Sequence, residues 1–88
     1  MEHTTNPLRQ KLRESLVDLQ TLRDELRVRL HLMGMDAKDA MIDLEPRIDR
    51  VESDLERVGD EALGRLATSL DKLATSLRAL RDRHAHAA

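Results

Sequence analysis

The 88-residue chain contains no cysteine, phenylalanine, tyrosine or tryptophan. Without cysteine it can form neither a disulfide nor a thiolate metal site, so its fold needs no oxidising compartment and the cytoplasm is the expected setting. Without aromatic rings its core must be built from Leu, Val, Ile, Met and Ala, and its surface offers no platform on which a base can stack. Glycine and proline are scarce as well, three and two residues. No apolar run approaches the roughly 18 residues of a membrane span, and "MEHTTNPLRQ" holds no signal-peptide core. A net charge of −2 gives no global attraction toward nucleic acid or an anionic membrane, so neither is an expected partner.

What is present is leucine between charges: 40% hydrophobic and 36% charged residues, the composition of long helices and coiled coils. Strands are not expected. Residues 1–88 are read as a single helical domain whose ends, 1–6 and 84–88, fray. A core of this size supplies only a few kcal/mol of net stability, which makes self-association an expectation.

Three leucine stripes divide the chain. In "TTNPLRQKL" Asn6 can cap the first free amides and Pro7 occupies a position where its missing N–H is not needed. Leu8, Leu12, Leu16, Leu19, Leu22, Leu26, Leu30 and Met33 then recur in steps that keep side chains on one helical face. Arg27, Arg29 and His31 before Gly34, with Asp36 and Asp39 after it, suit the carbonyl end of one helix followed by the amide end of the next. A second stripe runs through Leu44, Ile48, Val51, Leu55 and Val58, interrupted by Pro46, which favours a kink or a late start. Gly59 reads as a stop and Asp60 as a cap for a third helix, in which Leu63, Leu66, Leu70, Leu73, Leu77 and Leu80 form a heptad seam and "LATSL" occurs twice.

Two arrangements fit these stripes. One is an all-α, antiparallel three-helix bundle with coiled-coil-like packing and helices at about 7–33, 36–58 and 60–84. The other is a hairpin in which a long bent helix, 7–58, packs on a second helix, 60–84. Leu22, Met33, Leu44, Leu55, Leu66 and Leu77 are evenly spaced by eleven, which suits a helix that runs on through Gly34. Charge favours the turn: residues 7–33 carry +2, residues 34–58 carry −4 and residues 59–88 carry +1. The residues following seam positions are Arg9, Arg13, Arg23 and Arg27 in the first stripe and Glu45, Asp49, Glu52 and Glu56 in the second. A turn near residues 34–36 brings Arg23 toward Glu45 or Asp49, and Arg13 toward Glu56. Such exposed pairs contribute roughly 0 to 1 kcal/mol each, so they select orientation, while leucine burial at about 1.5 to 3 kcal/mol per side chain drives folding.

Sites for chemistry are sparse. His3, His31, His84 and His86 stand in neither an H-E-x-x-H nor an E-x-x-H spacing, so no helical metal centre is expected. Asp36, Asp39 and Asp43 lack the D-x-D-x-D-G alternation of a calcium loop and read as a helix start with a solvated face. No phosphate loop, nucleophile elbow or cysteine nucleophile is present, so neither a cofactor nor catalysis is expected. Met33, Met35 and Met41 read as core filler, with an adaptable binding surface as the other use of flexible thioethers. The expected function is therefore a non-enzymatic interaction or assembly module, a homo-oligomer or a binder of another helical protein, with Leu70, Leu73 and Leu77 as its partner-facing seam. The competing readings are a phosphate or nucleic-acid binder using Arg78, Arg81 and Arg83, joined by Arg9, Lys11 and Arg13 if the first and third helices lie side by side, and a lipid-surface amphipathic helix.

Overall fold

The computed structural model describes residues 6–84; of the ends expected to fray, 1–6 and 84–88, all but Asn6, which caps α1, and His84, the last residue of α3, lie outside the described residues. Three helices of nearly equal length run up, down and up: α1 (Pro7–Arg29), α2 (Met35–Arg57) and α3 (Leu63–His84), joined by short 3₁₀ turns at Leu30–Leu32 and Asp60–Ala62. The chain is an all-α three-helix bundle, 53 Å long and 18 Å by 17 Å across. The unbroken helix from 7 to 58 is not formed, and the eleven-residue spacing of leucines is a by-product of three stripes separated by short corners.

Local chemistry sets the ends of α1. The side chain of Asn6 accepts a hydrogen bond from the Leu8 amide at 2.9 Å, and Pro7 opens the first turn. The helix closes four residues earlier than its stripe suggests, because Leu30–Leu32 tighten into a 3₁₀ turn and Met33 becomes extended. Its side chain still reaches the core, which is why the periodicity ran on through it. Gly34 then caps α2 in an ordinary extended conformation, with its carbonyl accepting from Ala37 and Lys38. Asp36 lies in the first turn, where its charge faces the amide end of the helix.

Pro46 neither starts nor ends α2; it lies inside the helix on an exposed face. The proline removes the donor that the Ile42 carbonyl would have used, and on this outer face water can take its place. At the second corner Gly59, not Asp60, precedes the 3₁₀ turn, and α3 starts at Leu63. Asp60 is instead drawn away to Arg9 of α1.

One apolar cluster fills the space between the helices. It consists of twelve leucines with Met33, Ala37, Met41, Ile48 and Val51, and no polar or charged side chain is buried among the described residues. Association of the helices therefore rests on apolar burial, with charges at its borders. Leu8, the first residue of the leading stripe, projects past the end of this cluster and is exposed.

Candidate interaction surfaces

The border between α1 and α2 is closed by charge. Arg27 pairs with Glu45 at 2.8 Å, and Arg23 approaches Asp49 at 3.8 Å while holding Asp24 at 3.0 Å. Bonded to Glu45, the Arg27 guanidinium holds its proton more firmly than an ordinary arginine. The two pairs are steps of one antiparallel ladder, because moving back four residues on α1 moves forward four on α2. At the other end of α1 it is Arg9, one turn before Arg13, that meets the Leu55 and Val58 carbonyls at the end of α2. The expected pair of Arg13 with Glu56 is absent; of the two partners expected for Arg23, Asp49 is the one it approaches, and Glu45 goes to Arg27. The corner itself, between the end of α1 at Arg29 and the start of α2 at Met35, lies earlier than residues 34–36.

Arg9 closes the far end. Its guanidinium donates to the Leu55 carbonyl at 2.7 Å, the Val58 carbonyl at 2.9 Å and the Asp60 carboxylate at 3.0 Å. Carbonyls in the last turn of a helix have no intrahelical donor, and here a side chain from another helix supplies one. The Asn6 side chain first, and the Arg9 guanidinium second, hold the Asp60 carboxyl below its ordinary range.

The seam expected to face a partner is internal. Leu70, Leu73 and Leu77 are 3%, 6% and 0% exposed, covered by α1 and α2, and they leave no surface for another chain. The candidate basic patch is divided as well. In an up-down-up bundle α1 and α3 run parallel, so Arg9, Lys11 and Arg13 stand at the end that holds Asp60, whereas Arg78 and Arg81 line the α1–α3 groove beside Glu25 toward the opposite end.

Two surface features were not foreseen. The first is an apolar corner: of the six large exposed hydrophobic side chains among the described residues, Val28 (74%), Leu32 (72%), Met35 (68%) and Ile42 (71%) fall between residues 28 and 42. Each lies off the stripe of its own helix, so a reading that follows stripes passes over them. Met35 thus separates from Met33 and Met41, which are core residues.

The second feature is a difference among grooves. Between α1 and α3 a groove of about 320 Å³ carries Asp18, Glu25 and Asp71 with Arg78 and Arg81, a mixture of signs. Between α2 and α3 two successive hollows of about 260 and 410 Å³ share Arg47; the first adds Arg50 and Lys72, the second Arg83. The carboxylates lining them, Asp54 and Asp43, are bonded to Arg57 and Arg47 on their own helix.

His31 is exposed at the first corner, and His3 and His86 lie outside the described residues. Among the described residues no three His, Asp or Glu side chains converge to hold a metal ion. Among the described residues no helix is long and apolar enough to cross a membrane. Comparison with family models, curated proteins and solved structures finds no match to this chain.

Proposed function

We propose that this protein is a non-enzymatic helical assembly module that pairs with a second copy of itself through the corner between α1 and α2. The observation that carries this reading is the concentration of Val28, Leu32, Met35 and Ile42 on the outside of that corner. Scattered apolar side chains are ordinary on a protein surface, but a group of large ones at one end of so small a molecule marks a contact surface.

Charge supports a second copy as the occupant. The α1 side of the corner carries Arg29 and His31, and the α2 side carries Asp36 and Asp39, all exposed. A two-fold axis through the corner sets the cationic side of one copy against the acidic side of the other. Pairing also adds apolar burial to a core that contains no aromatic residue. A cysteine-free chain that needs no oxidising compartment supports the cytoplasm as the place where this occurs.

Molar mass by light scattering across a dilution series tests the reading. The parent chain is expected to approach twice its 10.1 kDa mass as concentration rises. Leu32→Glu combined with Ile42→Glu, at exposed positions outside the core, is expected to stay monomeric with unchanged helicity. A parent chain that is monomeric at millimolar concentration removes the proposal.

A further inference from the structure

We infer that Met35 is an oxidation site at which a hydroperoxide, by converting the thioether to the sulfoxide, dissolves the pairing of two copies proposed above, on which this inference rests. The chain offers such an oxidant few targets: it has no cysteine, tyrosine or tryptophan, and four methionines. Met33 and Met41 are 8% and 1% exposed within the core, whereas Met35, the first residue of α2, is 68% exposed. Met1 lies outside the described residues. The reaction needs the peroxide to reach the sulfur, so among the three described methionines the fold directs it to Met35.

A sulfur lone pair attacks one oxygen of the peroxide, and the S–O bond forms as the O–O bond breaks. The sulfur gives up two electrons, and the proton of the transferred hydroxyl passes to the departing oxygen, which leaves as water or an alcohol. The product is polar where the thioether was apolar. Ile42 lies seven residues after Met35 on α2, two turns along the same face, and both are exposed. Reduced Met35 extends that apolar face, and its flexible side chain can adapt to the facing copy. A sulfoxide oxygen covered by Val28, Leu32 or Ile42 of a second copy loses its water and finds no donor in those side chains. A two-fold pair carries the group twice, so the penalty is doubled. In the separate chain the same oxygen stays hydrated, because Met35 lies outside the core, and the fold persists. Pairing in turn covers the sulfur, so the oxidant acts on the unpaired chain.

Treatment of the full chain with hydrogen peroxide, followed by tandem mass spectrometry and light scattering, tests the inference. Met35 is expected to gain oxygen about tenfold or more faster than Met33 and Met41, and more slowly as rising protein concentration favours the pair. The chain oxidised at Met35 is expected to pair about tenfold or more weakly, with helicity unchanged by circular dichroism. Met35→Leu is expected to pair like the parent and to go on pairing after peroxide. Met35→Gln, which puts a polar group at the same position, is expected to pair weakly without any oxidant. Because Met35→Leu retains Met1, it also separates an effect at Met35 from one at the amino terminus. Oxidation of Met33 or Met41 as fast as Met35, an oxidised parent that pairs as tightly as the reduced one, or loss of pairing in peroxide-treated Met35→Leu each overturns the inference and leaves self-association standing. A reduced parent that stays monomeric at millimolar concentration overturns both.

Discussion

The guanidinium of Arg9, in the first turn of α1, donates to the carbonyl oxygen of Val58 just past the end of α2, 2.9 Å away. With the Leu55 carbonyl and the Asp60 carboxylate it forms a three-acceptor clamp that is only 17% exposed at the arginine. One side chain thereby ties the start of the first helix to the corner between the other two. The planar fork of arginine suits this arrangement, and its positive charge faces the carbonyl end of α2.

Arg9→Ala leaves two backbone carbonyls of that turn without their side-chain donor. The expected loss is about 1 to 3 kcal/mol of unfolding free energy in urea. Arg9→Lys recovers only part, because a point-like ammonium cannot hold three acceptors in one plane. Lys11→Ala, two residues away and exposed, is expected to stay within about 0.5 kcal/mol of the parent.

Acid should loosen the same corner. The folded-state pKa of Asp60 is lowered from 3.8 by the Asn6 side chain and by Arg9, so its contribution is full above the ordinary carboxylate value. It is lost as pH falls through the lowered folded value. Urea midpoints measured from roughly pH 5 down to pH 2 should drop less steeply in Asp60→Asn than in the parent. A parallel decline would separate the Asp60 titration from stability.

Two glycines are replaceable with gain. Gly64 lies within α3 and a Cβ there meets nothing within 4 Å, so Gly64→Ala is expected to stabilise the fold by about 0.5 to 1 kcal/mol. Gly34 caps α2 with φ −71° and equally open surroundings. Gly34→Ser adds a hydroxyl acceptor for the first amides of α2 and should gain a few tenths of a kcal/mol. A loss in thermal midpoint at Gly34 would mean that the corner requires glycine for a reason other than its observed conformation.

Leucines of α3 should behave as core. Leu77, with no exposed surface, is expected to cost about 2 to 5 kcal/mol as Leu77→Ala, through lost burial and the cavity left behind. Val17→Ser, on the outer face of α1, should change stability by no more than about 0.5 kcal/mol. If Leu77→Ala shifted the oligomeric state while sparing the thermal midpoint, Leu77 would belong to an interface rather than to the monomer.

Much of the bundle is legible in the residues taken one neighbourhood at a time. Asn6 and Pro7 mark the start of α1, the change of charge sign around Gly34 marks a corner, and the leucine stripes name the buried faces. Pro46 misleads because its cost depends on the face it occupies, which a breaker rule does not consider. Asp60 misleads because its competitor for hydrogen bonding, Arg9, is 51 residues away in the chain. Leu70, Leu73 and Leu77 have the pattern of a zipper, and the same spacing serves the inside of a three-helix bundle equally well. Val28, Leu32, Met35 and Ile42 stand off the stripes, so only the coordinates show that all four are exposed.

The sequence by itself determined that this protein would be helical, where its first helix begins, and which leucine faces are buried, because capping and helical periodicity act over a few residues. Tertiary structure alone decided which cation meets which carboxylate and which surfaces stay open. The register of α1 against α2 gives Glu45 to Arg27 and Asp49 to Arg23, and the parallel course of α1 and α3 separates arginines that look like a single patch. Those outcomes depend on register and direction between distant segments, set by how the whole set of leucines packs.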